Sequence, residues 1–93
     1  NALTKDVISK IVSKLIKELE IRLSEHNLLI NITDKAMDLI IESAYDVNYG
    51  VRPLKRFISR NIETEIAKLL IEEKIKYGAQ IKIDVNNDKI LIV

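Results

Sequence analysis

The sequence predicts an α+β fold, with three helices packed on a small, mostly antiparallel three-stranded sheet. Three observations lead there. Apolar residues recur at spacings of three and four along three separate stretches, which is the period of an amphipathic helix. Toward the carboxyl end, Ile81, Ile83 and Val85 alternate with Lys82 and Asp84, which is the period of a half-buried strand. The 93 residues, 47% of them hydrophobic, make one small domain with a real core and show no linker, repeat or low-complexity tract.

Each element has its own signals. Thr4 is a helix N-cap, and Asp6 places negative charge in the first turn, where the helix dipole favours it. Ile8, Ile11, Val12, Leu15, Leu19 and Leu23 then form one apolar face, with Lys10, Lys14, Lys17 and Glu18 opposite, so the first helix is expected to run to about Glu25. Asn27 can end it, and 28–32 is short and β-branched enough for a strand. Thr33 caps a second helix, whose stripe is Ala36, Met37, Ile40, Ile41 and Ala44. Its short length makes it depend on packing. The stretch 45–50 is a loop in which Gly50 can take a positive φ.

Pro53 opens the third helix, because a first turn does not need the missing donor. Leu54, Ile58, Ile62, Ile66, Leu69 and Leu70 form its buried face, and it should end between Glu72 and Lys76. Arg60, on the outer side, could pair with Glu63 or Thr64. Gly78 breaks the pattern, 80–85 is a strand, Asn86-Asn87-Asp88 is a turn, and 89–93 completes a hairpin. A lone hairpin is marginal in water, so the 28–32 strand is its expected third partner.

Composition removes several functions. Fifteen basic and 14 acidic residues leave a formal charge of +1, which argues against a nucleic-acid or membrane partner. The absence of cysteine excludes disulfides, thiolate catalysis and thiolate metal sites. His26 is the only histidine and reads as a solvated side chain near a helix end, not a metal ligand. No apolar run reaches membrane-spanning length. The two glycines do not form a phosphate loop, so the fragment alone should not hydrolyse ATP. The chain opens on Asn1-Ala2-Leu3 without an initiator methionine and reads as a single domain, 1–93, cut from a larger protein.

The most informative run is Gly50-Val51-Arg52-Pro53-Leu54-Lys55-Arg56. A residue before proline is pushed out of the helical region, so Arg52 is expected to project from the helix start. A guanidinium there presents planar, permanently charged donors. Lys55 and Arg56 put two cations against the helix dipole, which points either to an acidic neighbouring subunit or to an ordinary solvated face.

The longer string from Tyr45 to Arg56 resembles the second-sensor region of Clp-type AAA+ ATPases, and most closely the small C-terminal subdomain of the second ring of ClpB-type disaggregases. It departs from the family pattern at Val51, where alanine is usual. Leu3-Thr4-Lys5-Asp6, Arg22-Leu23, Thr33, Ala36 and the closing hairpin also fit, so the resemblance covers nearly the whole chain.

The resemblance implies that ATP or ADP with Mg2+ binds at a seam between this subdomain and a large one that supplies the phosphate loop, the metal-binding acid and the base. It implies that Arg52 is the catalytic sensor. Gly50 would let the backbone approach the nucleotide, and Val51, Ile11 and Leu15 would line the base, although for Ile11 and Leu15 the helix core is an equal reading. Lys55 and Arg56 become candidates for subunit contact. The implied partners are the large subdomain, the neighbours in a homohexamer, and unfolded or aggregated polypeptides. The parent would be an ATPase that remodels proteins.

An equivalent subdomain of a ClpC- or ClpA-like unfoldase feeding a protease is the near rival. A free-standing helical adaptor is a more distant one. Cytoplasm, an endosymbiont-derived organelle and a secretory or vacuolar compartment are all compatible with the sequence.

Overall fold

The computed structural model describes residues 4–46 and 48–93; Leu3 of the amino-terminal motif and Val47 of the loop lie outside them. Helix α1 spans Lys5–Arg22. Thr4 is extended, and its hydroxyl accepts from the Val7 N–H at 3.3 Å, with Asp6 in the first turn. The helix stops short of the expected Glu25. Leu23 caps it, Ser24–His26 form a 3-10 turn, and Asn27 closes the segment in the left-handed conformation at φ 53°. Asparagine tolerates that conformation better than most residues.

Strand β1 (Leu29–Ile32) leads into α2 (Asp34–Ala44), capped as expected by Thr33, whose hydroxyl accepts from the Ala36 N–H at 3.1 Å. The same hydroxyl donates to Asp84 at 3.0 Å, which pins the start of α2 to the sheet.

The third helix is not continuous. It comprises α3 (Arg52–Ile58), a π turn (Ser59–Glu63) and α4 (Thr64–Ile71). The reason lies in the stripe Leu54, Ile58, Ile62, Ile66, all buried and each four residues from the last. An α-helix turns once per 3.6 residues, so a strict spacing of four drifts by about 40° per step. The π turn absorbs the drift: the Thr64 N–H donates to the Ser59 carbonyl five residues back, and the Thr64 hydroxyl donates to the same oxygen at 2.9 Å. At the far end, Glu73 takes φ 60° and the Lys74 N–H donates to the Leu69 carbonyl at 2.9 Å, a Schellman-type stop at a position where glycine is usual.

Strand β2 (Gln80–Asn86) is central. It pairs parallel with β1, Ile30 opposite Ile81, and α2 and the third helix form the long crossover that a parallel pair needs. It pairs antiparallel with β3 (Lys89–Ile92), Ile83 opposite Ile92, through a two-residue turn of Asn87 and Asp88 at φ 52° and 59°. Two consecutive positive φ values make a type I′ turn, which asparagine and aspartate tolerate.

The helices cover one face of the sheet. Val12 and Leu19 of α1, Ile40 of α2, and Leu54, Ile62 and Ile66 of the third helix meet Ile83 in one core, all essentially without exposure. No polar or charged side chain among the described residues is buried. The α+β class, the three helices and the three strands are as the sequence predicted.

Candidate functional site

The loop before α3 is built by one residue. The Asp46 carbonyl accepts from the Gly50 N–H at 2.7 Å and the Tyr49 N–H at 3.2 Å, and its carboxylate accepts from the Asn48 N–H at 2.7 Å. Asp46 and Gly50 also form an isolated antiparallel bridge. Gly50 has φ 65°, which a side chain adopts only under strain, although a Cβ there would meet nothing within 4 Å. Glycine is therefore required by the backbone angle and not by crowding inside the domain.

Val51 follows in a helical conformation, and its carbonyl accepts from the Lys55 N–H at 3.0 Å. The helix thus begins at Arg52, one residue earlier than the proline was expected to allow. Pro53 falls in the first turn, where its missing N–H has no intrahelical acceptor to lose. No side chain caps this end and no acid occupies its first turn.

Arg52, Lys55 and Arg56 are all exposed. None of the three makes an ion pair or a side-chain hydrogen bond among the described residues. Arg52 shares a cleft of about 220 Å³ with Tyr49, Pro53 and Arg56. Lys55 faces a different one, of about 300 Å³, with Leu15, Glu18, Arg22, Ile58, Ser59 and Glu63. Leu15 is only 8% exposed and belongs to the core, while Ile11 and Val51 are half-buried against it. The structure therefore gathers Arg52 with Arg56, and it does not place Ile11, Leu15 or Val51 in the lining of their cleft.

One tertiary contact is not legible in the sequence. Arg22 grips Glu63 with two hydrogen bonds, 3.1 Å from Nε and 2.9 Å from a terminal nitrogen, tying the end of α1 to the π turn. The Glu63 hydrogen bond holds the Arg22 guanidinium above its ordinary pKa. Glu63 is consequently not the partner expected for Arg60. Thr64 is not either, because its hydroxyl turns back to Ser59. Arg60 instead lines a groove of about 590 Å³ between α2, the third helix and β3, together with Glu65 and Asp88. Among the described residues no group of three or more His, Asp or Glu could hold a metal ion, and no helix is long and apolar enough to cross a membrane.

Comparison with known proteins gives this geometry a family. The family described as the C-terminal, D2-small domain of ClpB protein matches residues 3–83. Chaperone protein ClpB of Bacillus cereus is 37% identical over 90 residues, covering 97% of this chain and 10% of the relative. Chaperone protein ClpB of Staphylococcus epidermidis is 42% identical over 82 residues, covering 88% and 9%. Chaperone protein ClpB of Staphylococcus aureus is 42% identical over 83 residues, covering 89% and 10%. The chain spans about a tenth of the length of the curated relatives it matches. The family match takes in all three helices and β1 and reaches into the central strand, and the chain belongs to the family of C-terminal D2-small domains of ClpB protein.

Proposed function

We propose that this domain is the nucleotide-sensing lid of an ATP-driven chaperone ring that unfolds or disaggregates polypeptides. The observation that carries the reading is Arg52: a permanent cation, exposed, without an ion-pair partner among the described residues, held at a helix start by a loop that Asp46 and Gly50 shape. An unpaired guanidinium on a fixed support fits a phosphate, because its planar fork matches phosphate oxygens. The ClpB name shared by the relatives supports the disaggregase reading over a protease-feeding one.

In this reading the nucleotide and its Mg2+ are held chiefly by a large subdomain of the same protein, whose metal supplies charge neutralisation on the phosphates. Arg52 donates to the terminal phosphate across the seam. Gly50 and Val51 hold that arginine in place, and Ile11 and Leu15 stiffen the wall behind the base. The Arg52 contact exists only while the terminal phosphate is attached, so its loss at hydrolysis frees the lid to rotate. Lys55 faces outward for the neighbouring subunit of a hexamer, which would carry the rotation around the ring.

Replacing Arg52 by Ala in the full-length protein tests this. ATP turnover should fall by at least about tenfold, the equivalent of about 1.4 kcal/mol in the barrier. The melting temperature of the domain should not fall, because Arg52 has no ion pair or side-chain hydrogen bond to lose among the described residues. Unchanged turnover, or a domain that no longer melts cooperatively, would remove Arg52 from this role.

A further inference from the structure

We propose that Arg56 is a second phosphate-gripping residue, acting with Arg52 on the terminal phosphate of a nucleoside triphosphate. This rests on the lid reading above. Four cations stand along one stretch of the third helix: Arg52, Lys55, Arg56 and Arg60. The structure distributes them among three clefts. The groove that holds Arg60 also holds Glu65 and Asp88, and the cleft that holds Lys55 also holds Glu18 and Glu63. Only the cleft shared by Arg52 and Arg56 has no carboxylate in its lining, which Tyr49 and Pro53 complete.

That pairing is costly as it stands. Residues four apart on a helix have Cβ atoms about 5–6 Å from each other, and like charges there repel. Both also oppose the dipole of the helix start. The acid nearest in sequence, Asp46, has its carboxylate and carbonyl engaged in shaping the loop. Among the described residues, neither arginine has an ion-paired carboxylate to offset these terms.

A ligand with more than one negative charge offsets both at once. A terminal phosphoryl group presents three oxygens, and two guanidinium forks can share them, each making paired charge-assisted hydrogen bonds. A diphosphate ends one phosphate short, so both grips open together when the terminal group leaves. Arg56 thereby sharpens the discrimination between triphosphate and diphosphate that Arg52 begins. Its sequence neighbour Lys55 faces another cleft and does not share this task.

The test is competition binding of ATPγS and ADP to the full-length protein carrying Arg52→Ala, Arg56→Gln or Arg56→Lys, with the ligand-free melting temperature of each. Hydrogen bonds to charged groups are worth about 1.5–3 kcal/mol, so Arg56→Gln should weaken ATPγS by about tenfold or more. ADP should stay within about twofold, because the diphosphate does not reach the grip. Arg56→Lys should restore only part of the loss, since an ammonium is a point charge without the fork. Ligand-free melting should fall in none of the variants, and in Arg52→Ala and Arg56→Gln it should rise slightly as the like-charge repulsion is relieved. If Arg52→Ala loses ATPγS while Arg56→Gln does not, the second grip is wrong and the lid reading stands. If both variants bind as the unmodified protein does, the lid reading falls as well. If Arg56→Gln weakens both nucleotides equally, with binding that depends on protein concentration, Arg56 serves a subunit contact and the proposal is overturned.

Discussion

Asp84 sits where β2 meets the start of α2. Its carboxylate accepts from the Val85 N–H at 2.9 Å and from the Thr33 hydroxyl at 3.0 Å. Those two hydrogen bonds, the backbone one first, hold its pKa below the usual carboxylate range, and Lys82 and Lys35 add to the effect. A pKa depressed in the folded state contributes stability that is present above the unfolded value, about 3.9, and is lost as pH falls through the folded one. Asp84→Asn keeps an acceptor oxygen and removes the charge. The variant should therefore melt below the unmodified protein at neutral pH, and the gap should close as the pH drops under about 4. A gap that is constant from neutral pH to pH 3 would show that this charge does not matter. Half of this arrangement is legible in the sequence: a threonine before an apolar stripe announces a cap. The other half is not, because Thr33 and Asp84 are 51 residues apart, and only the fold brings them together.

The third helix teaches a similar lesson at the scale of an element. Its stripe is written in the sequence as a run of four-residue steps, and the helix ends at Ile71, one residue before the expected stretch from Glu72 to Lys76. The π turn is not legible in that stripe, because steps of four lie close enough to 3.6 to read as a regular helix. The geometry implies that the π turn is one residue more than a regular helix needs. Deleting Asn61, which is exposed and bonds only to the Phe57 carbonyl at 3.1 Å, changes the stripe to steps of four, three and four. That spacing suits an α-helix and keeps Leu54, Ile58, Ile62 and Ile66 on the core. The deletion should leave helicity intact by circular dichroism and shift melting by no more than about 5 °C. Deleting Lys14 from the regular helix α1 should do the opposite. It rotates everything beyond it by about 100°, turning Leu15, Ile16 and Leu19 out of their places. Equal damage from both deletions would mean that the π turn is not an insertion. The candidate site divides in the same way. The loop and Arg52 are local and could be read from neighbouring residues. Lys55 and Arg56 must diverge, since adjacent helix positions point about 100° apart, but which cleft each meets depends on the packing of α1 and the loop around the helix.

At the scale of the whole molecule the domain is a slab of 43 × 28 × 18 Å, with helices on one face of the sheet and polar residues such as Asn31 and Lys82 on the other. It exposes 6459 Å². A compact protein of 10.7 kDa would expose about 5,500 Å². The excess follows from the shape, because a flat body exposes more surface than a compact one of the same mass. What holds so flat a body together is a single shared core. Ile83 lies at its centre, on the middle strand, opposite Ile32 on one side and Ile92 on the other, and fully buried under the helices. Ile83→Ala should cost about 2–5 kcal/mol. A chain of this length holds only about 5–14 kcal/mol in all, so the variant should be marginal at 37 °C. Ile71→Ala is the control: the same side chain on the same domain, 82% exposed at the end of α4. It should change stability by no more than about 0.5 kcal/mol. Urea unfolding of both, compared at a common slope, separates the two cases. Similar midpoints for Ile71→Ala and Ile83→Ala would mean that the two layers do not depend on one another through this strand.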